Sequence, residues 1–395
     1  MKVLKPNTIV QFINYSPKIY SGFDKFNILL AKKMKFKNIQ SIFVFNDEVT
    51  LPDLISDLKK ENISIELICT KNKIRILLDT LKIYRKYKPD IVHSHFDNYI
   101  QLLTAIISKI FSSQHYTSFH SMITPFNANE YSKKKGKFKH FLLSCYYKTL
   151  VSLSVKIFFV SNAIKEQFKQ ISNINSNKLN TLYLGVETEN TPTKQPVQSD
   201  TYNKNTSTII LCNISAIEET KGIDILIHAL YLVKSKYPNL NFKCYHIGGL
   251  RSNNSFNINY ENKLKKLVHD LKLDENFIWL GQRNDILKQL ESIDIYIHPS
   301  RNEGLGVSIM EACTMSKPII ATNIGGIPEI VLHESNGFLF KIDEVQELAD
   351  YILILLNNET LRLKMGHESK QIVKKYFNID IQTTILSKLY SGETS

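Results

Sequence analysis

Short apolar runs alternate with longer segments whose apolar residues recur every three or four positions along the first half of the chain. The short runs are rich in β-branched and aromatic residues and are apolar on both faces, which is typical of parallel strands covered by helices. We predict strands at residues 8–14, 41–45, 64–68, 91–95, 116–120 and 156–160. We predict helices at residues 25–35, 74–86, 99–110 and 138–153. This succession predicts a doubly wound parallel sheet.

The second half of the chain starts the same alternation again. We predict strands at residues 208–213, 242–247, 277–280, 293–298 and 318–322. We predict helices at residues 223–235, 259–272, 285–292, 306–315, 345–356 and 360–375. The expected fold class is therefore α/β, with two Rossmann-like doubly wound parallel-sheet domains that face each other across a cleft. In such sheets ligands bind at the carboxyl ends of the strands.

A polar segment separates the two halves. Residues 188–207 include Pro192 and Pro196 and show no apolar period, as expected of a linker. We assign an N-terminal domain to residues 1–190, a linker to 191–207 and a C-terminal domain to 208–372. We expect a helical tail at residues 373–395 that packs back on the N-terminal domain.

Composition narrows the class of protein. The 395 residues are 43% hydrophobic and 22% charged, which is globular composition with material for two cores. None of the five cysteines lies in a Cys-x-x-Cys pair, which favours a reducing compartment over a disulfide or zinc framework. No export signal is visible, and no run reaches the ~20 apolar residues that span a bilayer. We expect a cytoplasmic protein.

The positive charge is concentrated in the first half. Residues 1–190 contain 28 Lys and Arg against 14 Asp and Glu, whereas the rest of the chain contains 22 against 23. The densest patch is Lys133, Lys134, Lys135, Lys137 and Lys139, just before the apolar stretch at 141–153. This pattern suggests peripheral contact of the N-terminal domain with the anionic inner face of the plasma membrane. A solvated lysine-rich surface is the alternative, and we expect no nucleic-acid partner.

The segment from His298 to Phe340 carries the strongest chemical signal. A predicted strand ends before Glu303, and two glycines, Gly304 and Gly306, precede a predicted helix that contains Glu311. Glycines at a helix start let backbone N–H groups approach a ligand, and the helix N-terminus favours phosphate. Carboxylates in such a place accept hydrogen bonds from sugar hydroxyls. Spacing alone also allows Glu303 to cap the helix and Glu311 to be a surface residue.

These residues resemble a known family. Glu303-Gly-Leu-Gly-Val-Ser-Ile-Met-Glu311 matches the Glu-x7-Glu motif of the retaining glycosyltransferases of family 4, which have a GT-B fold. The flanking sequences are also similar to those of the family: His298-Pro-Ser, then Lys317-Pro-Ile-Ile-Ala, Gly325-Gly-Ile-Pro-Glu and Asn336-Gly. The resemblance extends over most of the chain and is strongest after residue 208.

The resemblance implies a role for each matching residue. Glu303 would contact the transferred sugar, Glu311 the nucleotide ribose, and Lys221 the leaving diphosphate, which a compact ammonium charge can stabilise. The N–H groups of Gly304, Leu305 and Gly306 would contact sugar and diphosphate. The expected donor-binding set is completed by Ser215, Gly248, Gln282, Arg283 and Val307.

One position departs from the family pattern. The family usually has an arginine five residues before the lysine, and here that position is Ala216. Either Lys221 acts with the helix N-terminus alone, or another basic residue such as Arg283 or Arg301 substitutes.

The first domain adds two candidates by the same resemblance. Gly22, in the loop after the first strand, resembles the glycine that lets the backbone approach the phosphates. His120, at the end of a predicted strand, resembles a catalytic histidine that reaches the donor sugar, with His93 and His95 as weaker candidates. No Asp-x-Asp lies in a strand-end loop, and we predict no metal site and no cofactor.

The implied activity is retaining transfer of a sugar from a nucleotide sugar, with a UDP-sugar as the expected donor, to a hydroxyl of a glycan or lipid-linked acceptor. By the same resemblance, the domain at 208–372 would bind the nucleotide sugar and the domain at 1–190 the acceptor. Surface polysaccharide or lipopolysaccharide assembly is the expected process. Two alternatives stay open: an epimerase or phosphorylase on the same fold, and a non-catalytic protein that binds sugar nucleotides.

Overall fold

The structure is a computed structural model. It describes residues 7–14, 21–46, 51–70, 72–96, 99–122, 134–188, 208–250 and 255–391, without the side chains of 134–140 and 391. The chain packs as two compact units: Met1–Gly185 with Ile379–Ser395, and Val186–Asn378. The expected linker at 191–207 lies outside the described residues.

The first unit contains a seven-stranded parallel sheet in the order β3-β2-β1-β4-β5-β6-β7. Its strands are β1 (Thr8–Phe12), β2 (Gln40–Asn46), β3 (Ser64–Ile68), β4 (Ile91–His95), β5 (Gln114–Phe119), β6 (Lys156–Phe159) and β7 (Leu179–Thr181). Its helices are α1 (Gly22–Lys35), α2 (Pro52–Lys60), α3 (Lys73–Tyr87), α4 (Tyr99–Phe111), α5 (Lys134–Leu153) and α6 (Asn162–Ser172). The strand order reverses between β1 and β4, as in doubly wound sheets.

The second unit contains a six-stranded parallel sheet in the order β10-β9-β8-β11-β12-β13. Its strands are β8 (Ile209–Ile214), β9 (Phe242–Ile247), β10 (Phe277–Gly281), β11 (Ile295–His298), β12 (Ile319–Thr322) and β13 (Gly337–Phe340). Its helices are α7 (Ile223–Lys236), α8 (Ser255–Asp270), α9 (Ile286–Glu291), α10 (Val307–Thr314), α11 (Ile327–Ile330), α12 (Val345–Asn357) and α13 (Glu359–Tyr376). The sequence thus predicted the fold class of both units.

Each sheet is covered by its own apolar core. In the first unit α3 and α4 pack Ile76, Ile83 and Ile107 over β1, β2 and β4. In the second unit α7 and α12 pack over β8 and β11 through residues such as Leu226 and Ile352. Strands buried under helices explain why the apolar runs in the sequence were continuous rather than alternating.

The last helix, α14 (Ile379–Ser391), belongs to the first unit and packs against α1. Its Tyr390 is buried, and the hydroxyl lies 2.6 Å from Nδ1 of His93. The chain leaves the first unit after Gly185 and returns to it at Ile379. These two points are close together, since the N–H of Val186 donates to the carbonyl of Phe377. The tail begins at Ile379 rather than 373, since α13 continues to Tyr376 within the second unit.

Surface features bear on the compartment and membrane expectations. Within the described ranges, no helix combines the length and apolarity needed to cross a bilayer. All five cysteines are free thiols. The lysine patch at 133–139 lies outside the described residues and side chains.

Candidate active site

Glu303 lies in the loop that joins β11 to α10, at the carboxyl edge of the second sheet. Its Oε2 accepts a hydrogen bond from Nζ of Lys221 at 2.9 Å and another from Nε2 of His298 at 2.9 Å. The Glu303 side chain is only 16% exposed. Ser300 completes the cluster with its hydroxyl 3.0 Å from the same His298 nitrogen. The loop therefore holds a carboxylate between a cation and an imidazole.

These neighbours set the charge of Glu303. Burial by itself raises the pKa of the Glu303 carboxyl, but the charge of Lys221 and the hydrogen bond from His298 together hold that pKa well below its ordinary value. Glu303 is therefore ionised at neutral pH. An ionised carboxylate in this place can accept hydrogen bonds from hydroxyl groups or stabilise developing positive charge.

Lys221 is held against this loop by tight backbone packing. It ends a short 3₁₀ turn, Glu219–Lys221, and the next residue, Gly222, has a left-handed φ of 63°. A Cβ on Gly222 would lie 2.0 Å from the carbonyl oxygen of Pro299, so only glycine fits. The N–H of Arg301 also donates to the carbonyl of Thr220 at 2.8 Å. The two loops that carry Lys221 and Glu303 are thus fixed to each other.

Arg301 connects the same loops through its side chain. Its guanidinium makes a two-pronged pair with Asp224 at 2.9 and 2.7 Å and reaches Asp343 at 2.7 Å. Asp224 also accepts from the hydroxyl of Tyr260 at 2.9 Å. These carboxylates raise the pKa of Arg301 further. Because two carboxylates, those of Asp224 and Asp343, already bind its guanidinium, Arg301 is not a ready substitute for the arginine missing at Ala216.

Arg283 is similarly engaged. In the loop after β10, its Nε and Nη2 donate to Asp285 at 2.9 and 3.0 Å. Gln282 precedes it, and both side chains are exposed. Arg283 therefore lies in the expected loop, but its charge is paired with a carboxylate.

The helix α10 begins directly after the glycine segment. Gly304, Leu305 and Gly306 are buried, and α10 starts at Val307 rather than at Gly306. Glu311 is the fifth residue of α10 and is partly exposed. Glu303 lies in the loop rather than on the helix, so the two glutamates of the motif are presented by different elements.

Ser215 and Gly248 meet at the ends of the adjacent strands β8 and β9. Gly248 has a φ of 146°, and a Cβ there would lie 1.9 Å from the carbonyl oxygen of Ser215. The Ser215 hydroxyl donates to Oδ1 of Asn213 at 3.0 Å, and the same oxygen lies 2.9 Å from Nδ1 of His246. Burial lowers the pKa of His246 to about 3, so its ring is neutral.

In the first unit, His120 follows β5 directly rather than ending it. Its Nε2 lies 3.0 Å from Nδ1 of His95, and its ring makes an edge contact with Phe23 at 4.6 Å. Burial lowers the pKa of His120 to about 3. His93 bonds instead to Ser118 and to the last helix. His95 and His120 therefore form a neutral pair, whereas His93 is tied into the core.

Gly22 is the first residue of α1 rather than part of the preceding loop. Ser21 caps this helix: its hydroxyl accepts from the N–H of Asp24 while the Asp24 carboxylate accepts from the N–H of Ser21. Gly22 is thus presented at a helix N-terminus.

Two residues of the second unit, His298 at the end of β11 and Asp224 in the first turn of α7, were not assigned a role from the sequence. His298 was noted only as part of a His-Pro-Ser flank, although it bonds Glu303 directly. Asp224, the partner of Arg301, carries no motif signal. Among the described residues, no group of three or more His, Cys, Asp or Glu side chains could hold a metal ion.

Two Rossmann-like units, each built on a parallel sheet, are typical of the GT-B class of sugar-transferring enzymes, as are a carboxylate, a lysine and a helix N-terminus at the strand edge of one unit. The family models bear this out: "Glycosyl transferases group 1" matches residues 194–372 and "Glycosyltransferase Family 4" matches residues 67–190. Together they cover about three quarters of the chain. The chain is a glycosyltransferase and belongs to family 4.

Individual relatives agree with this assignment. An uncharacterized glycosyltransferase of Methanocaldococcus jannaschii is 28% identical over 73% of this chain and 71% of its own length. The capsular polysaccharide biosynthesis glycosyltransferase CapM of Staphylococcus aureus is 24% identical over 64% of this chain and 66% of its own. Alignments with several other relatives span less than half of those proteins.

A solved structure shows the same fold. Anabaena HepE in complex with UDP-glucose superposes with a TM-score of 0.78 at 19% identity, covering 98% of this chain and 99% of that one.

Proposed function

We propose that this glycosyltransferase moves a sugar from a nucleotide-sugar donor, a UDP-sugar, to a hydroxyl group of a glycan or lipid-linked acceptor. The observation that carries the proposal is the cluster of Lys221, Glu303 and His298 beside the N-terminus of α10. It combines a fixed carboxylate for a sugar with positive charge for a diphosphate.

Each part of the donor has a proposed partner. Glu303 contacts the transferred sugar, and Glu311 contacts the ribose. Lys221 and the backbone N–H groups of residues 304–307 stabilise the leaving diphosphate. The base lies near the strand ends of β8, β9 and β10, where Ser215, Gly248, Gln282 and Arg283 are found. In the first unit, His120 and Gly22 are proposed to complete the donor contacts.

The proposed reaction retains the configuration at the anomeric carbon. Among the residues that the structure describes, none stands out as a covalent nucleophile. The acceptor oxygen is therefore proposed to attack the face that the diphosphate leaves, and the leaving phosphate to take the acceptor proton. Lys221 and the α10 N-terminus supply the positive charge that a divalent metal supplies in other enzymes. We therefore propose that the reaction needs no metal and no cofactor.

The proposed process is assembly of a surface polysaccharide or lipopolysaccharide at the inner face of the plasma membrane. The similarity to a capsular polysaccharide biosynthesis glycosyltransferase supports this choice. The basic first half fits an acceptor linked to anionic lipid.

A donor panel tests the proposal. UDP-sugars are expected to raise the unfolding temperature more than GDP-sugars, and nucleoside diphosphate is expected to be released only when acceptor is present. Release with phosphate instead of acceptor would indicate a phosphorylase, and interconversion of free UDP-sugars an epimerase. Activity that survives a chelator supports metal independence, and activity that is lost and restored by a divalent metal contradicts it.

Variants locate the site in the same assay. Glu303→Gln is expected to lower the transfer rate by about 100-fold or more, because it removes the charge that faces the sugar. Glu275→Gln changes an exposed carboxylate on the same unit and is the matched control. Equal rates for both variants would place the chemistry elsewhere.

A further inference from the structure

Exposed apolar side chains are concentrated on three neighbouring helices of the first unit. On α3, Ile74 is 70% exposed and Leu78 is 59% exposed, with Leu77 beside them. On α5, Phe141 is 61% exposed, and Leu142 is exposed next to it. On α4 the exposed apolar residues are Tyr99, Ile106 and Ile110. Single exposed apolar residues are ordinary, but a group of this size marks an interaction surface.

The topology places these three helices side by side. The connections β3-α3-β4, β4-α4-β5 and β5-α5-β6 all advance in one direction along the sheet, and right-handed crossovers then put the helices on one face. Packing of α3 on α4 and of α4 on α5 agrees with this arrangement. We call the outward side of these helices the α3–α5 face. The opposite side of the sheet carries α1, α2 and α14.

Each of the three helices also begins at the carboxyl edge of the sheet, because each follows a parallel strand. Ile74 and Leu78 lie in the first two turns of α3, Tyr99 is the first residue of α4, and Phe141 lies in the first half of α5. Most of the exposed apolar residues of the face therefore lie toward the edge of the sheet where ligands bind in this class of fold, whereas Ile106 and Ile110 lie in the second half of α4.

Basic residues outnumber acidic ones on the α3–α5 face, although Lys86 is paired with Glu66 of β3. Among the described side chains of the three helices, seven are Lys or Arg and one, Asp79, is acidic. Helices α1, α2 and α14 contain seven basic and four acidic residues. Among the basic residues of the α3–α5 face, Lys73, Arg75 and Lys82 on α3 and Lys148 on α5 are exposed beside the apolar ones.

We infer that the α3–α5 face docks on an anionic lipid bilayer. Apolar side chains flanked by lysine and arginine on a helix surface match the boundary between headgroups and acyl chains. Basic residues gain further from the negative surface potential of anionic lipids. A nucleic acid would use the charges but leave Ile74, Leu78 and Phe141 in water, so the apolar component favours the bilayer.

This inference deepens the proposed function, since it rests on the proposed site at the inner face of the plasma membrane and names the surface that contacts the lipid there; it does not depend on the proposed sugar transfer itself. The experiment below uses neither donor nor acceptor, so its failure leaves the proposed reaction untouched, and the reverse also holds. The docking would bring the carboxyl edge of the first sheet, where we expect the acceptor to bind, close to the lipid surface.

Flotation with vesicles measures the docking. The full chain is expected to float with vesicles that contain phosphatidylglycerol and to stay behind with pure phosphatidylcholine, and added salt is expected to weaken the binding. The double variant Ile74→Gln with Leu78→Gln is expected to lower the partition coefficient by about tenfold or more. Both positions are exposed, so circular dichroism and the unfolding temperature should match those of the unmodified chain.

Phe36 offers a matched control. It is 81% exposed, lies directly after α1 on the other side of the sheet, and has lysines at 35 and 37 as neighbours. Phe36→Gln is expected to leave vesicle binding unchanged. Equal losses in both variants, or no loss in the double variant, would overturn the inference.

A label on the face gives a second readout. Cys145 is exposed one turn after Phe141, so an environment-sensitive fluorophore there should shift to shorter wavelength on anionic vesicles. Cys145→Ser combined with Phe36→Cys moves the label to the other side, where no shift is expected; Cys69→Ser removes the one other thiol that is not buried. A shift that appears without vesicles and depends on protein concentration would show that a second copy of the chain covers this face, and would overturn the inference.

Discussion

Lys221 and Glu303 face each other at 2.9 Å, although 82 residues separate them in the chain. The pair joins the short turn before α7 to the loop before α10, and each side chain is largely shielded from water. A partly buried ion pair of this kind costs more when one partner is removed than when both are.

Stability should therefore change non-additively at this pair. Lys221→Met is expected to lower the free energy of unfolding by about 2 kcal/mol at neutral pH, because it leaves the Glu303 carboxylate without its cation. Adding Glu303→Gln should recover most of that loss while activity stays low. Urea unfolding of the single and double variants measures the coupling. Strictly additive losses would show that the pair does not interact energetically.

The stability that the Lys221–Glu303 pair contributes should depend on pH. The pKa of Glu303 lies below the 4.5 of an unfolded glutamate, so the pair contributes its stability above that pH and loses it as the pH falls further. The stability difference between the unmodified chain and Lys221→Met should consequently narrow in acid. A difference that stays constant down to strongly acidic pH would contradict this assignment.

Restoring the family arginine should strengthen donor binding. Ala216→Arg would add a guanidinium five residues before Lys221, and a charge-assisted hydrogen bond to a diphosphate is worth about 1.5–3 kcal/mol, or roughly tenfold or more in affinity. Calorimetry with UDP measures the change. Ala216→Gln, which adds length without charge, is the control, and an equal effect of both variants would argue against a charge effect.

Substitutions at two glycines allow the cost of a steric clash to be distinguished from the cost of a strained backbone dihedral. Gly222 and Gly281 have nearly the same φ, 63° and 66°, but a Cβ on Gly222 would meet the Pro299 carbonyl at 2.0 Å, whereas a Cβ on Gly281 would meet nothing within 4 Å. Gly281→Ala should cost about 1–2 kcal/mol from the dihedral alone. Gly222→Ala should cost distinctly more and also reduce activity, because Lys221 would move. Denaturant unfolding compares the two, and equal costs would show that the loops are not packed as described.

Acid should destabilise the first unit through its buried histidines. Burial lowers the pKa of His115 and His120 to about 3 and that of His93 and His95 well below 6.5. Below pH 6.5 the unfolded chain binds protons that the folded unit does not. The free energy of unfolding then falls by up to about 1.4 kcal/mol per pH unit for each such histidine.

Hydrogen exchange on either side of pH 6.5 checks this expectation, since protection of the first unit should fall in acid. His115→Gln should flatten the pH dependence. His269→Gln, which changes an exposed histidine of the second unit, should not. An unchanged slope in His115→Gln would remove that residue from the explanation.

The sequence predicted the parallel sheets well because their strands are buried on both sides and stand out as apolar runs. It missed shorter or weaker elements. Strand β7 has three residues, and β13 begins at a glycine, so neither forms a run. In helix α6 only Ile164 and Phe168 are buried apolar residues, which are too few to indicate a helical period in the sequence.

For the candidate site, the sequence pointed to individual residues but not to their contacts. Glu303 and Lys221 were predicted because they sit in a motif with recognisable flanks, but their contact with each other was not. His298 gains a role only through the folding back of the loop that places Glu303 against its ring. The bond between Arg301 and Asp224 spans 77 positions, and nothing local signals it, so Arg301 looked like a free cation in the sequence.

The return of α14 to the first unit has a consequence during synthesis. On the ribosome, residues 1–185 emerge long before Tyr390, whose ring fills the core beside His93 and Tyr116. The second unit, continuous from 186 to 378, has all its strands before the first unit has its last helix. The second unit is thus the first to have a complete core, and until α14 is synthesised the first unit has only α1 and α2 on one side of its sheet.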